Sequence, residues 1–245
     1  MTFWEHLDEL RRRLLWSLVA ITVAAIAGFL LSDRALNFLI EPFRENVAGS
    51  LALLAPSDGF IVQIKMALVL GAVIASPIVA YELYGFIGVG LKSREKRWLW
   101  PVAMVATILF WGGVVFAWLI FPTAIRFLGS FAGFGVQNLW SLKNYISLVL
   151  FLHLAFGIIF QLPLVIGLLI ASGLVPSSFF RRNRRYAIVT IFILAALATP
   201  TTDALTMMLM VGPLLLLYEV SIWVGVMIEG RRRRLAASTG EEIEA

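Results

Sequence analysis

The chain has 245 residues, of which 60% are hydrophobic and 14% charged, against about 25% charged for an ordinary soluble domain, which excludes a water-soluble core. Uncharged runs of spanning length exclude a barrel, whose strands would show short alternating segments, and leave an all-α integral membrane protein. Cysteine is absent, excluding disulfides, thiol nucleophiles and cysteine-ligated metals, and the net charge of +5 sits beside the apolar runs instead of forming a nucleic-acid face.

Residues 2–13 are short, charged and amphipathic. Phe3, Leu7, Leu10 and Leu14 recur at helical spacing while Glu5, Asp8, Glu9, Arg12 and Arg13 fall on the other faces, which predicts a helix lying on a membrane surface. Thr2 with Glu5 three positions later fits a capping box. Two readings of Glu9 stand at this point. It pairs with Arg13 at i, i+4, with Arg11, Arg12 and Arg13 forming the ordinary cytoplasmic flank of a first span, or it is offered to a partner.

Residues 14–31 then run for 18 positions without a charge, close to the roughly 20 that cross a hydrocarbon core. Ala25-Ile26-Ala27 superficially resembles a signal cleavage site. The apolar run continues past it and an acidic helix precedes the basic triplet, so the first span is expected to stay uncleaved.

A polar segment follows as far as Asp58, with Pro42, Pro56 and a short apolar run over 36–40 that would cap the membrane surface. The second span is expected over 60–86, with Lys65 and Glu82 near opposite ends, within snorkelling reach of the interfaces. Residues 88–98 form a basic loop in which Glu95 is the lone carboxylate among Lys92, Arg94, Lys96 and Arg97.

The third span, 99–121, opens with Trp98, Trp100 and Pro101, the aromatic belt and early proline of a helix entering a membrane. A polar loop over 122–147 leads to a fourth span over 148–172, which carries His153 near one end and Gln161 and Pro163 near the middle, where a kink is expected. Arg181, Arg182, Arg184 and Arg185 make a further basic loop. The fifth apolar run, 186–198, has only 13 residues. That is roughly 20 Å of helix against a core of about 30 Å, which calls for a thinned bilayer or burial against other helices.

Thr199-Pro200-Thr201-Thr202-Asp203 turns the chain into a last span over 204–227, interrupted at Gly212-Pro213 and carrying Glu219. An intramembrane carboxylate is neutral, paired or facing water, so partner contact, a water cavity and a structural hydrogen bond all remain open for Glu219. The reading is therefore one six-helix transmembrane domain over 1–230, its last two spans short or interrupted, and a basic then acidic disordered tail over 231–245. With both termini in the cytoplasm, 15 of the 20 lysines and arginines fall on that side, 4 on the other and Lys65 within a span, the bias of the positive-inside rule.

The motif His6-Leu7-Asp8-Glu9-Leu10-Arg11 resembles the opening of the TatC family, the polytopic core subunit of the twin-arginine protein translocase. The likeness extends along the chain. Pro42 matches a proline of the family's first outer loop, and Phe86-Ile87 followed by Arg94-Glu95-Lys96-Arg97 resembles its first cytoplasmic loop. Phe160-Gln161-Leu162-Pro163 looks like its fourth-helix motif, the Thr199 to Asp203 turn like its turn between the last two helices, and Tyr218-Glu219 has a counterpart.

The resemblance implies a receptor for signal peptides bearing consecutive arginines, a self-associating core component of the Sec-independent translocase. With single-span TatA and TatB partners it would move folded proteins across the prokaryotic cytoplasmic membrane on the proton-motive force, without cofactor or enzyme activity. Glu9 and Glu95 match the family's signal-recognising carboxylates, with Leu10, Arg11, Phe86 and Arg97 beside them in its motifs. A guanidinium suits a fixed planar acceptor, and two carboxylates from separate segments suit two arginines.

By the same likeness Gln161, Thr199 and Glu219 are partner-contact or polar intramembrane positions, and Pro42, Pro163, Pro200 and Asp203 are structural. The family often has glutamate where this chain has Gln161, which cannot titrate but can still hydrogen-bond a neighbouring helix. The rival from another class is a secondary transporter of a small solute. It requires internal repeats and paired broken helices with charged groups at midplane, and this chain shows no convincing repeat. An ATP-driven pump fails too, because Leu91 separates Gly90 from Lys92 where a phosphate-binding loop would join them.

Overall fold

The computed structural model describes residues 3–87, 99–130, 139–198 and 204–239. They are almost entirely helical and group into two compact units, residues 1–157 and 158–245. Among the described residues, five stretches are long and apolar enough to cross a membrane, at 4–46, 58–86, 99–130, 142–171 and 210–231.

The first unit opens with α1 (Phe3–Asn46), one unbroken helix of 44 residues and roughly 66 Å. This corrects the expected division into a surface helix, a span and a polar segment. Leucine, alanine and arginine are strong helix formers, and no proline interrupts them before Pro42, so the helix simply continues past both ends of the apolar run 14–31. Near its end Asn46 Nδ2 donates to Pro42 O at 2.6 Å, covering a carbonyl in the last turn.

A short strand β1 (Ser50–Ala52) leads into α2 (Asp58–Ile87), which packs back along α1. The two backbones touch closely. A methyl on Gly71 would come within 2.7 Å of the Ala25 backbone, and one on Gly28 within 2.7 Å of Ala67 O, the small-residue packing that lets membrane helices adhere without a hydrophobic driving force.

Then come α3 (Leu99–Ser130), β2 (Leu139–Ser141) and α4 (Leu142–Ile159). The expected polar loop over 122–147 is thus helical as far as Ser130, because Ala124 and Ile125 remain buried beyond Pro122 and their packing carries the helix on. The strands pair in parallel, Ser50 opposite Leu139 and Ala52 opposite Ser141. Three-residue strands carry too little alternation to be read from sequence.

The core of this unit gathers where the C-terminal ends of α1 and α3 meet the N-terminal ends of α2 and α4. Phe43, Met66, Phe121, Tyr145 and Ile146 are buried together, and the Tyr145 hydroxyl donates to Leu39 O at 2.6 Å. Beside it the Asp58 side chain, 1% exposed, accepts Lys143 Nζ at 2.6 Å and the backbone N–H groups of Ala55 at 3.0 Å and Leu54 at 3.3 Å. One carboxylate therefore ties the start of α2 to the start of α4.

In the second unit the chain turns at Gln161, whose N–H reaches Ile158 O and whose carbonyl accepts Leu164 and Val165, each at 3.0 Å. Pro163 follows in the first turn of α5 (Leu162–Ala171), where its missing N–H costs nothing. Where the kink is expected, a turn at 160–161 interrupts the regular α-helical pattern two residues before the proline. The anticipated basic loop is instead α6 (Ser177–Arg182), a turn at Asn183, and the start of α7 (Arg184–Ala198), which at 15 residues is roughly 22 Å long.

The last helix, α8 (Ala204–Thr239), runs through Gly212-Pro213 without interruption, held by Met210, Val211 and Leu214, all buried. It also continues through Arg231 to Arg234 to Thr239, in place of the disordered tail expected from 231. Arginine, leucine and alanine favour helix. Ser177 ties α6 to α8 by donating from N at 3.3 Å and from Oγ at 2.5 Å to Glu229 Oε2.

Candidate functional site

The N-terminal third of α1 lies against the last turns of α2. Positions 6, 9 and 13 of α1, spaced three and four apart, share one stripe, and positions 82, 85 and 86 of α2 do the same. Where these stripes meet, the Arg13 guanidinium bridges two carboxylates. Its Nε donates to Glu9 Oε1 at 2.6 Å and its Nη1 to Glu82 Oε2 at 3.3 Å. All three side chains are only 19–25% exposed.

Gly85 makes the arrangement possible. A methyl at that position would collide with Arg13 Nη1, so the guanidinium lies directly over the bare backbone of α2. Next to it His6 stacks on Phe86, ring centroids 4.5 Å apart and planes at 27°. Two formal negative charges against one positive leave the trio an excess anion, held at the edge of the apolar region.

The i, i+4 pair of Glu9 with Arg13, one of the two sequence readings, is therefore formed, and a second carboxylate joins it. The sequence presents Glu82 only as a snorkelling residue. The signal that could have found it is a charged group near the end of an apolar run, costly unless paired, but its partner lies 69 positions away in sequence.

Of the other anticipated residues, Phe86 joins this site through His6, while Leu10 and Arg11 are exposed on α1. Glu95, Arg97, Thr199, Pro200 and Asp203 lie outside the described residues. Pro42 is buried in α1, and Gln161 is partly buried at the turn before α5. Glu219 is paired, accepting Arg184 Nη2 at 2.8 Å. A structural bond within the chain is thus present, and 43% of the Glu219 side chain stays exposed. Next to Glu219, the Tyr218 hydroxyl donates to Phe180 O at 2.8 Å, adding a second tie between α6 and α8. His153 is buried with Nδ1 2.7 Å from Val149 O, a locally satisfied position beside Trp118 and Phe121.

The family model described as Sec-independent protein translocase protein (TatC) matches residues 5–213. The chain belongs to the TatC family. Among curated TatC proteins, that of Carboxydothermus hydrogenoformans is 36% identical over 230 residues, covering 94% of each chain. The Koribacter versatilis protein is 34% identical, covering 99% of this chain and 92% of its own. The chloroplastic TATC of Arabidopsis thaliana is also 34% identical, over 94% of this chain and 68% of its own length. A crystal structure of the twin-arginine translocase receptor TatC superposes with a TM-score of 0.78 at 35% identity, covering 91% of this chain and 99% of that one. A second, in DDM, gives 0.79 at 36% identity. The helical membrane fold expected of the family is thus the fold observed.

Proposed function

We propose that this TatC-family protein is a receptor for twin-arginine signal peptides and the core of a Sec-independent translocase for folded proteins in the prokaryotic cytoplasmic membrane. The observation that carries the reading is at Glu9, whose carboxylate, near the N-terminal end of α1, already holds a guanidinium, that of Arg13, in a 2.6 Å charged hydrogen bond. A carboxylate so placed has the planar geometry an incoming arginine needs. The names of the relatives, translocase and twin-arginine receptor, support the same function.

In this reading both termini are cytoplasmic and α7 is the fifth of six crossings, its short length met by a thinned bilayer. Glu95 supplies a second arginine acceptor, and Leu10, Arg11, Phe86 and Arg97 flank the peptide. Single-span TatA and TatB subunits complete the complex, meeting the protein around Gln161, Thr199 and Glu219. The driving force is the proton-motive force, and no bond in the cargo is made or broken, so the protein is not an enzyme.

Site-specific crosslinking tests the reading. A photoreactive residue at position 95, in native membranes, should capture a twin-arginine signal peptide and release it when unlabelled peptide competes. Capture that is equal for a peptide with both arginines replaced by glutamine would contradict it.

A further inference from the structure

We propose that Glu82 is a signal-binding carboxylate in its own right, and that Arg13 is a built-in guanidinium which occupies the site at rest and which a signal arginine must displace. The inference rests on the receptor reading above and extends it to residues outside the family-like motifs.

Three observations lead there. The first is stoichiometry: two carboxylates, Glu9 and Glu82, converge on one guanidinium, leaving an excess negative charge in a patch that is mostly shielded from water. The bonds are also unequal. Arg13 holds Glu9 at 2.6 Å but Glu82 only at 3.3 Å, through a single Nη1 donor, so Glu82 keeps acceptor capacity that a better-aligned guanidinium would use.

The second is access. Glu82 lies at the edge of a groove of about 450 Å³ between α1 and α2, walled by Trp16, Val19, Val23, Ala27 and Ile78. The carboxylate is therefore open on that side and not closed in between the two helices.

The third is shape. Gly85 leaves bare backbone that the end of the Arg13 side chain now covers, and the three atoms nearest to a methyl placed there all belong to Arg13. Arg13 is a long, flexible side chain on α1 and can swing away with its own charge intact, while Glu82 and Gly85 stay fixed on α2. A strut required for folding and an occupant to be displaced make the same contacts at rest. They part company once Arg13 is loosened: losing a strut weakens the site, whereas losing an occupant opens it.

The test is the affinity of a fluorescent twin-arginine signal peptide for the full-length protein in lipid nanodiscs, at matched folded protein. Wild type is compared with Glu82→Gln, Arg13→Gln and Gly85→Ala, the last closing the patch to any guanidinium with every charge retained. Loss of one charged hydrogen bond predicts about tenfold weaker binding for Glu82→Gln, and a smaller loss when the peptide carries twin lysines, which lack the planar fork. Arg13→Gln is expected to bind the twin-arginine peptide more tightly than wild type, and Gly85→Ala more weakly, because its methyl fills the place that the arriving guanidinium would take. Wild-type affinity in Glu82→Gln, or weakening by Arg13→Gln, would overturn the proposal with the receptor reading still standing. A wild-type protein indifferent to the arginines would overturn the receptor reading itself.

Discussion

Arg184 Nη2 donates to Glu219 Oε2 at 2.8 Å, joining the first turn of α7 to the middle of α8. The pair explains how a carboxylate persists in an apolar helix. Its partner sits on a neighbouring helix of the same chain, and both side chains remain about half exposed. A half-exposed ion pair on a membrane surface can also accept a polar group from another span.

In the proposed complex with single-span partners, replacing Glu219 by Ala is therefore expected to cause dissociation while leaving signal-peptide binding in place. Native gels of membranes extracted in mild detergent measure the first, and peptide crosslinking the second. Intact complexes in Glu219→Ala would assign the pair to internal fastening of α7 alone.

The buried tyrosine of the first unit gives a stability prediction. Tyr145→Phe removes one hydrogen bond to Leu39 O and leaves the aromatic packing with Phe43 and Phe121 in place. A cost of about 1 kcal/mol is expected, read as a lower midpoint of unfolding in detergent. Tyr145→Ala, which also opens a cavity, should cost about 3 kcal/mol or more. Equal effects of the two would show that the hydroxyl, not the ring, dominates.

Topology is open to a direct chemical test because the chain contains no cysteine. Asn144 and Arg182 are both exposed. With an impermeant thiol reagent applied to the outer face, Asn144→Cys should label in intact cells and Arg182→Cys only after the cytoplasmic face is opened. The reverse pattern would invert the orientation deduced from the basic residues.

Much of this architecture is readable from the residues, and the exceptions have physical causes. The apolar pattern predicts a second span over 60–86 and the helix is Asp58–Ile87, because its ends are marked by an acidic first turn and a glycine-rich, basic continuation. The length of α1 is not legible in the same way. Asp33, Arg34, Glu41, Arg44 and Glu45 look like loop residues, yet a helix outside the bilayer tolerates charge freely on its wet faces while Leu39 and Phe43 stay buried.

At the site the same division holds. Glu9 with Arg13 is a local pair, visible at i, i+4. Glu82 joins them only because α2 folds back along α1, and the absent side chain of Gly85 gives no sequence signal until Arg13 is seen lying over it. Long-range contacts of this kind depend on helix packing that periodicity does not encode.

The most direct test of the receptor account compares Glu9→Gln, Glu95→Gln and Arg97→Ala for signal-peptide affinity in detergent-free membranes at matched protein level. Each glutamine variant loses a charged acceptor, which contributes roughly 1.5 to 3 kcal/mol, so binding should weaken by about ten- to a hundredfold with folding nearly unchanged. Arg97→Ala, which removes a repelling cation, should bind as wild type or slightly more tightly. Wild-type binding by both glutamine variants, or equal loss from Arg97→Ala, would contradict the account.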